Sequence, residues 1–478
     1  MSNLIKEPHE KELFGHPVGL YVLFFVEMWE RFSYYGMRAI LTLYLAAPII
    51  MGDPQSGFGW TNGETLSFYG TYTMFVYLTS IPGGWIADKF IGQKKAVMLG
   101  GILLCIGHGI LAIDAQWAFF IGLIFIVIGV GFLKPNISTM VGGLYKQGDE
   151  RRDKGFYVFY IGINLGAFLG AILVGAVAAK YGWHYGFGLA GIGMGLGQIV
   201  YMYGLKYLGS VGNFIGNADS PDKELLKKPL TKIEKDRMLV MFLSFLIIIV
   251  FWGAFEQAGG LMSLYTEQKT NRILSFSLPL IGNEIPAAVF QSVNAFFIIV
   301  LGTAVGGFWY KWKSKGREAS SLFKMAVGVI IMAFGFFFMS KAASEVVMNG
   351  DEVAEKSAMI WLILAYLFHT IGELCASPVA LSFITKLAPL KYASLMMGAY
   401  FAATGLGNKV AGFIGGLSED AGDFEVFTGI AITCTIFGLL LIAILKPLKR
   451  LTHGAEDRTE TKSDETEGFE FRISKKTE

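Results

Sequence analysis

The chain has 478 residues, of which 53% are hydrophobic and only 16% charged, whereas soluble domains carry roughly a quarter charged residues. Its mean hydropathy of +0.51 excludes an ordinary water-soluble fold, and a formal net charge of +2 gives no reason to expect a nucleic-acid partner. Three cysteines and six scattered histidines, at spacings that fit no metal or disulfide framework, leave no basis for a metalloprotein or a disulfide scaffold.

A hydrocarbon layer about 30 Å thick needs about 20 apolar residues in a helix. Twelve such segments are read along the chain, centred near Phe32, Phe75, Leu104, Ile126, Ala167, Leu196, Ile248, Phe296, Ile331, Phe368, Ala402 and Phe437. Residues 1–17 lack an apolar h-region and a small-residue cleavage site, so they read as a cytoplasmic segment and not as a secretory signal.

The first span breaks the apolar rule. VEMWERFSYYGMRAIL places Glu27, Glu30, Arg31 and Arg38 inside it, although a charge at the bilayer centre costs about 2.5–3.5 kcal/mol on insertion scales. At 100° per residue Glu27, Glu30, Arg31, Tyr34, Tyr35 and Arg38 fall within an arc of about 140°. Met28, Trp29, Phe32, Met37 and Ile40 are left to face lipid or neighbouring helices. Desolvation can exceed the attraction within a buried pair, so a stripe of this size is poorly explained as structural glue. It reads as functional.

After span 2 comes GGWIADKFIGQKK, where Gly84, Asp88 and Gly92 precede Lys94 and Lys95. Cys105 in span 3, Cys375 in span 10 and Cys434 in span 12 read as packing residues. Lys134 in GVGFLKPNIS (span 4), Glu256 in FWGAFEQAGG (span 7) and Glu373 in HTIGELCASP (span 10) are isolated charges in apolar sequence. Bases in the first half and acids in the second point to ion pairs across a central cleft that open and close with protonation.

Between spans 6 and 7 a polar stretch, residues 210–236, divides the chain into a first bundle (18–209) and a second (237–449), followed by a tail (450–478) read as disordered. GGFWYKWKSKGR after span 8 faintly echoes the stretch after span 2. Loops after even-numbered spans carry twenty Lys and Arg, and the opposite loops five, which places both termini in the cytoplasm.

Two six-span halves with parallel repeats are the arrangement of the major facilitator fold, with substrate bound near the midplane between them. The Gly84–Asp88–Gly92 stretch resembles the loop 2–3 signature of that superfamily and reads as a conformational latch. EMWERFSYYG matches the hallmark of the proton-dependent oligopeptide transporter family, GGWIADKFIGQKKAV resembles its first signature and FYVFYIGINLGAF its second. GFLKPNIS, FWGAFEQ, FQSVN and GELCASP extend the similarity through spans 4, 7, 8 and 10. The expected fold class is therefore an all-α membrane protein of the major facilitator fold, with twelve transmembrane helices in two six-helix bundles.

The resemblance implies proton-coupled import of di- and tripeptides, with no cofactor and the proton as coupling ion. A short peptide is a zwitterion with arbitrary side chains, so recognition should use its two ends and its amide. Arg38 and Lys134 suit the carboxylate, Glu373 the ammonium group, and Asn164 and Asn294 the peptide backbone. Tyr34, Tyr35 and Tyr72 suit the carboxylate or the pocket wall, with Tyr69 one turn away as a substitute for Tyr72. Trp252 and Ser377 look like pocket residues by similarity to the family. Glu27, Glu30 and Arg31, with Lys134 and Glu256, form the proton-coupling set, and Glu256 pairs with Arg38 as a gate. Two departures stand out. Some members carry a histidine in span 2 where this chain has Thr65, and the linker is too short for the additional helix pair of many bacterial members.

A nutrient sensor would keep the binding charges without moving cargo, and a transporter of nitrate or amino acids would share the fold and the proton site. An enzyme is not expected, since no nucleophile elbow, metal spacing or phosphate loop is present. The expected location is the cell membrane as a multi-pass protein, and short loops favour a bacterial inner membrane.

Overall fold

The structure, a computed structural model, describes residues 11–146, 149, 151–214, 229–350, 352–389 and 392–455. The expectations made for residues 1–10, for 215–228 of the linker and for 456–478 of the tail lie outside the described residues.

The helices are Val18–Ala46 (α1), Asn62–Leu78 (α2), Ser80–Ile86 (α3), Gln93–Leu111 (α4), Gln116–Gly143 (α5), Arg151–Tyr181 (α6), Trp183–Gly204 (α7) and Lys232–Phe255 (α8). They continue with Leu261–Lys269 (α9), Ser292–Ser314 (α10), Ser321–Glu345 (α11), Met359–Leu387 (α12), Ala393–Gly416 (α13), Ser418–Ala421 (α14), Asp423–Ala443 (α15) and Leu445–Arg450 (α16). All twelve expected centres fall in helices. Among the described residues nine helical segments are long and apolar enough to cross a membrane. Outside that set stand α1 with its buried charges, the 17-residue α2, and α13.

Local chemistry sets the helix starts. Thr61 and Thr231 each form a capping box with the glutamate three residues on, which satisfies two of the N–H groups that a helix start leaves open. Gly92, at φ +79°, turns the chain into α4, a conformation that L side chains rarely adopt.

Helix α1 lies at the centre of its bundle, packed against α6 and α7. Met28, Phe32, Met37 and Ile40 all bury against neighbouring helices, so the face opposite the charged stripe meets protein. Small residues allow this approach. A Cβ at Gly166 would collide with the Met28 carbonyl oxygen, and one at Gly170 with that of Phe32. With no hydrophobic drive between helices in lipid, such close packing is a main source of association. Gly166→Val should therefore destabilise the bundle by about 1–3 kcal/mol or more, seen as a lowered melting temperature in detergent; an unchanged value would show that α1 and α6 have room to separate.

The two halves meet along α2 with α13 and along α6 with α10. One end of the cleft is tied shut by polar contacts across the halves. Glu419 accepts from the Thr61 hydroxyl (3.0 Å) and the Gly63 N–H (2.6 Å), and Asn62 and Gln268 exchange amide bonds; within the second half, Lys269 pairs with Asp423 at 2.5 Å.

The stretch after span 2 differs from its expected echo. Gly83 packs so closely on the Gly131 carbonyl that a side chain would not fit, and Lys94 donates to the Gly209 carbonyl at 2.6 Å, fastening the α4 start to the chain after α7. Gly306 and Gly307 have open space around them, so the second glycine pair serves no close approach. Asp88 is exposed and, among the described residues, makes no ion pair or hydrogen bond. Cys375 accepts a hydrogen bond from the Trp309 indole at 3.3 Å, and all three thiols are free.

Candidate functional site

Helix α1 carries the charges inward. Glu27, Glu30 and Arg31 are 1%, 0% and 4% exposed, far below what such residues normally show. Arg31 Nε donates to Glu27 Oε1 at 2.7 Å and lies 3.0 Å from Glu30 Oε2. The second approach is an ion pair by distance only, because neither Glu30 oxygen has a partner in hydrogen-bonding alignment. One guanidinium thus serves two buried carboxylates. Lys134 on α5 is near enough to act on both electrostatically, but its Nζ sits 3.8 Å above the Tyr77 ring. Among the described residues it makes no ion pair within 4 Å.

Two turns further along α1, Arg38 Nη1 reaches both oxygens of Glu256, at 3.0 and 3.1 Å. Glu256 follows the last turn of α8 and is 3% exposed. It also accepts from the Tyr69 hydroxyl at 3.0 Å. This fork of arginine and tyrosine on one carboxylate bridges the two halves. The Arg38 side chain also lies 4.9 Å from the Tyr35 ring.

Of these groups Tyr35, Arg38 and Glu256 line a cavity of about 190 Å³. Asn164, Trp252, Asn294, Glu373 and Ser377 line the rest of it, together with Tyr160, Gln291 and Tyr366. Across from Arg38, Glu373 accepts from the Asn294 amide at 2.9 Å, and the same amide reaches Thr370 at 3.0 Å. The cavity holds a base–acid pair on one side and a carboxylate held by a neutral amide on the other.

Of the expected substrate residues, Tyr35, Arg38, Asn164, Trp252, Asn294, Glu373 and Ser377 come together here. Tyr34, Tyr72 and Lys134 lie outside its lining. Tyr34 packs edge-on against the Tyr35 ring, and the Tyr72 hydroxyl is buried without a hydrogen-bond partner among the described residues, while Tyr69 holds Glu256. Of the ion pairs expected across the cleft, Arg38–Glu256 is formed, whereas Glu373 meets an amide and Lys134 an aromatic face. Tyr160 and Gln291 lie inside the motifs FYVFYIGINLGAF and FQSVN but, like Tyr366, are not singled out by the sequence. Each sits four, three or seven residues before a residue that was named, on the same helix face, so helical periodicity carried the signal.

A helical membrane transporter with a charged cavity between two halves is the class that this arrangement defines. The chain belongs to the POT family, the proton-dependent oligopeptide transporters, whose sequence profile matches residues 94–218 and 223–428. It is 33% identical to a peptide transporter, YePEPT, of Yersinia enterocolitica over 95% of this chain and 99% of the relative. It is likewise 33% identical to a di-/tripeptide transporter of Lactococcus lactis, over 94% of this chain and 99% of the relative. A crystal structure of a peptide transporter POT in complex with sulfate superposes with a TM-score of 0.83 at 32% identity, covering 92% of this chain and 97% of that one. These relatives are transporters, and the chain is not an enzyme.

Proposed function

We infer that the protein imports di- and tripeptides in symport with protons by alternating access. The observation that carries this reading is the cavity itself, where Arg38 paired to Glu256 stands opposite Glu373 held by Asn294. A zwitterion with variable side chains offers complementary charges to both walls, and the names of the bacterial relatives agree with that cargo. Arg38 receives the carboxylate and Glu373 the ammonium group. Asn164 and Asn294 bond the amide, and Tyr35, Trp252 and Ser377 shape the pocket, with Tyr34 packed edge-on against Tyr35. Glu27 and Glu30 alternate between a protonated acid and an ion pair with a base, Arg31 or Lys134, while Glu256 pairs with Arg38 as a gate. No cofactor takes part.

The same reading gives twelve spans in two six-helix bundles, residues 18–209 and 237–449. Residues 1–17, 210–236 and 450–478 then lie on the cytoplasmic face of a bacterial inner membrane. Support comes from the loop charges and the bacterial relatives. Proteoliposomes under an imposed inward proton gradient test the reading by accumulating labelled dipeptide. Binding without uptake would favour a sensor, and uptake of nitrate or single amino acids but not dipeptides would favour the other cargo.

Proton handling rests on carboxylates. Thr65 stands where some relatives have histidine, and His108 and His369 are fully buried with no hydrogen-bond partner among the described residues. Treatment with a histidine-modifying reagent should therefore leave driven uptake intact. Loss of uptake that substrate protects against would instead place His369, one turn from Glu373, in the mechanism.

A further inference from the structure

On α12, Cys375 stands between Glu373 and Ser377, which line the peptide cavity. At 100° per residue it points about 200° away from either. It lines a different space of about 460 Å³ with Ala304, Phe308 and Trp312 of α10 and Phe323 and Val327 of α11. The groove is walled almost wholly by apolar groups and runs along α10 from Trp312 to Ala304, about 12 Å of helix.

Basic residues cluster in the sequence at one end of this groove, and two of them, Arg317 and Lys324, lie over its rings. The sequence YKWKSKGREASSLFK carries Lys311, Lys313, Lys315, Arg317 and Lys324 against the single acid Glu318. Glu318 is already engaged, accepting from the Ser320 N–H at 2.8 Å and from Lys449 at 3.2 Å. The bases touch the groove's own rings, with Arg317 4.5 Å from the Trp312 ring and Lys324 5.5 Å from that of Trp309. Lys311, Lys313 and Lys315 are exposed, and among the described residues they make no ion pair. Exposed Phe308 and Tyr310 complete an aromatic border of the kind that settles at a bilayer interface.

We propose that the groove between α10, α11 and α12 binds one anionic phospholipid, with its phosphate among Lys311, Lys313 and Arg317 and an acyl chain along Phe308, Val327 and Cys375. An apolar slot alone would take any lipid, and the basic rim selects the anionic headgroup. A free phosphate compound would satisfy the rim but leave the slot empty, so the whole lipid is the ligand.

The test uses the full-length protein, delipidated in detergent and titrated by native mass spectrometry with phosphatidylglycerol, phosphatidylcholine or glycerol 1-phosphate. Phosphatidylglycerol should bind in preference to phosphatidylcholine, and glycerol 1-phosphate should not displace it. The triple variant Lys311→Gln, Lys313→Gln, Arg317→Gln should lose about a hundredfold in phosphatidylglycerol affinity, taking each basic residue as worth about fivefold near a membrane surface. Val327→Trp, which fills the slot, should abolish the selective site with the rim intact. Should that variant fold poorly, the surface triple carries the test alone. Equal binding of the two phospholipids, or undiminished phosphatidylglycerol affinity in the triple variant, would mean unselective annular lipid and would overturn the proposal.

Discussion

Glu30→Gln should abolish gradient-driven accumulation of dipeptide while leaving exchange of labelled for unlabelled peptide across the membrane intact. The reason lies in the count of charges on α1. Arg31 is shared by Glu27 and Glu30, and Lys134, the other base nearby, rests on the Tyr77 ring without an ion pair within 4 Å among the described residues. An unneutralised carboxylate buried this deeply is costly, so a proton or a movement of Lys134 must relieve it. Proton occupancy thereby becomes linked to the position of a neighbouring helix. Glutamine imitates the protonated acid permanently, which keeps the site able to cycle with substrate but removes its response to the gradient. One proton moved with a zwitterionic peptide carries a net charge, worth about 2.3 kcal/mol per 100 mV, or about 50-fold accumulation. The variant should fall from that ratio to about unity in proteoliposomes, with counterflow preserved. Full accumulation by the variant would remove Glu30 from the coupling step, and loss of counterflow as well would make it a structural group.

The parts of this site that were legible in the sequence are those where chemistry conflicts with environment. Four charges in α1 cannot be hidden by propensity or pattern, and with Glu256 and Glu373 they sufficed to place a charged cleft between the halves. Which charge meets which was legible only in part. Opposite signs in opposite halves fit several pairs equally, and Arg38–Glu256 could be named only through the resemblance to the family. That Lys134 lies over an aromatic ring depends on the crossing of α2 and α5, which no single segment encodes. Tyr160, Gln291 and Tyr366 went unseen because an aromatic or amide on a membrane helix reads equally well as packing. The role of glycine was similarly hidden. Gly83 and Gly306 have similar local sequence, yet one abuts the α5 backbone and the other faces open space.

N-acetylated and C-amidated dipeptides should each compete for uptake about tenfold to a hundredfold less well than the free dipeptide, since an unpaired buried charge costs about 3–5 kcal/mol and water in the cavity offsets part of it. Glu373 is held by a neutral amide and has no cationic partner within 4 Å among the described residues, so the ammonium end of a peptide supplies the charge that the site itself lacks. Arg38 is different, because Glu256 already occupies it. A peptide carboxylate must compete with that glutamate, and success would release the link between α1 and the end of α8, one of the contacts that join the two halves. The two ends of the cargo thus do different work, one anchoring and one opening. Acetylation should mainly weaken binding, whereas amidation should also slow exchange. Glu373→Gln should narrow the gap between free and acetylated peptides, with competition measured against a labelled dipeptide in proteoliposomes. Equal competition by free, acetylated and amidated dipeptides in the unaltered protein would sink the two-ended account. If amidation weakened binding without slowing exchange, Arg38 would be a simple carboxylate anchor and its bond to Glu256 no gate.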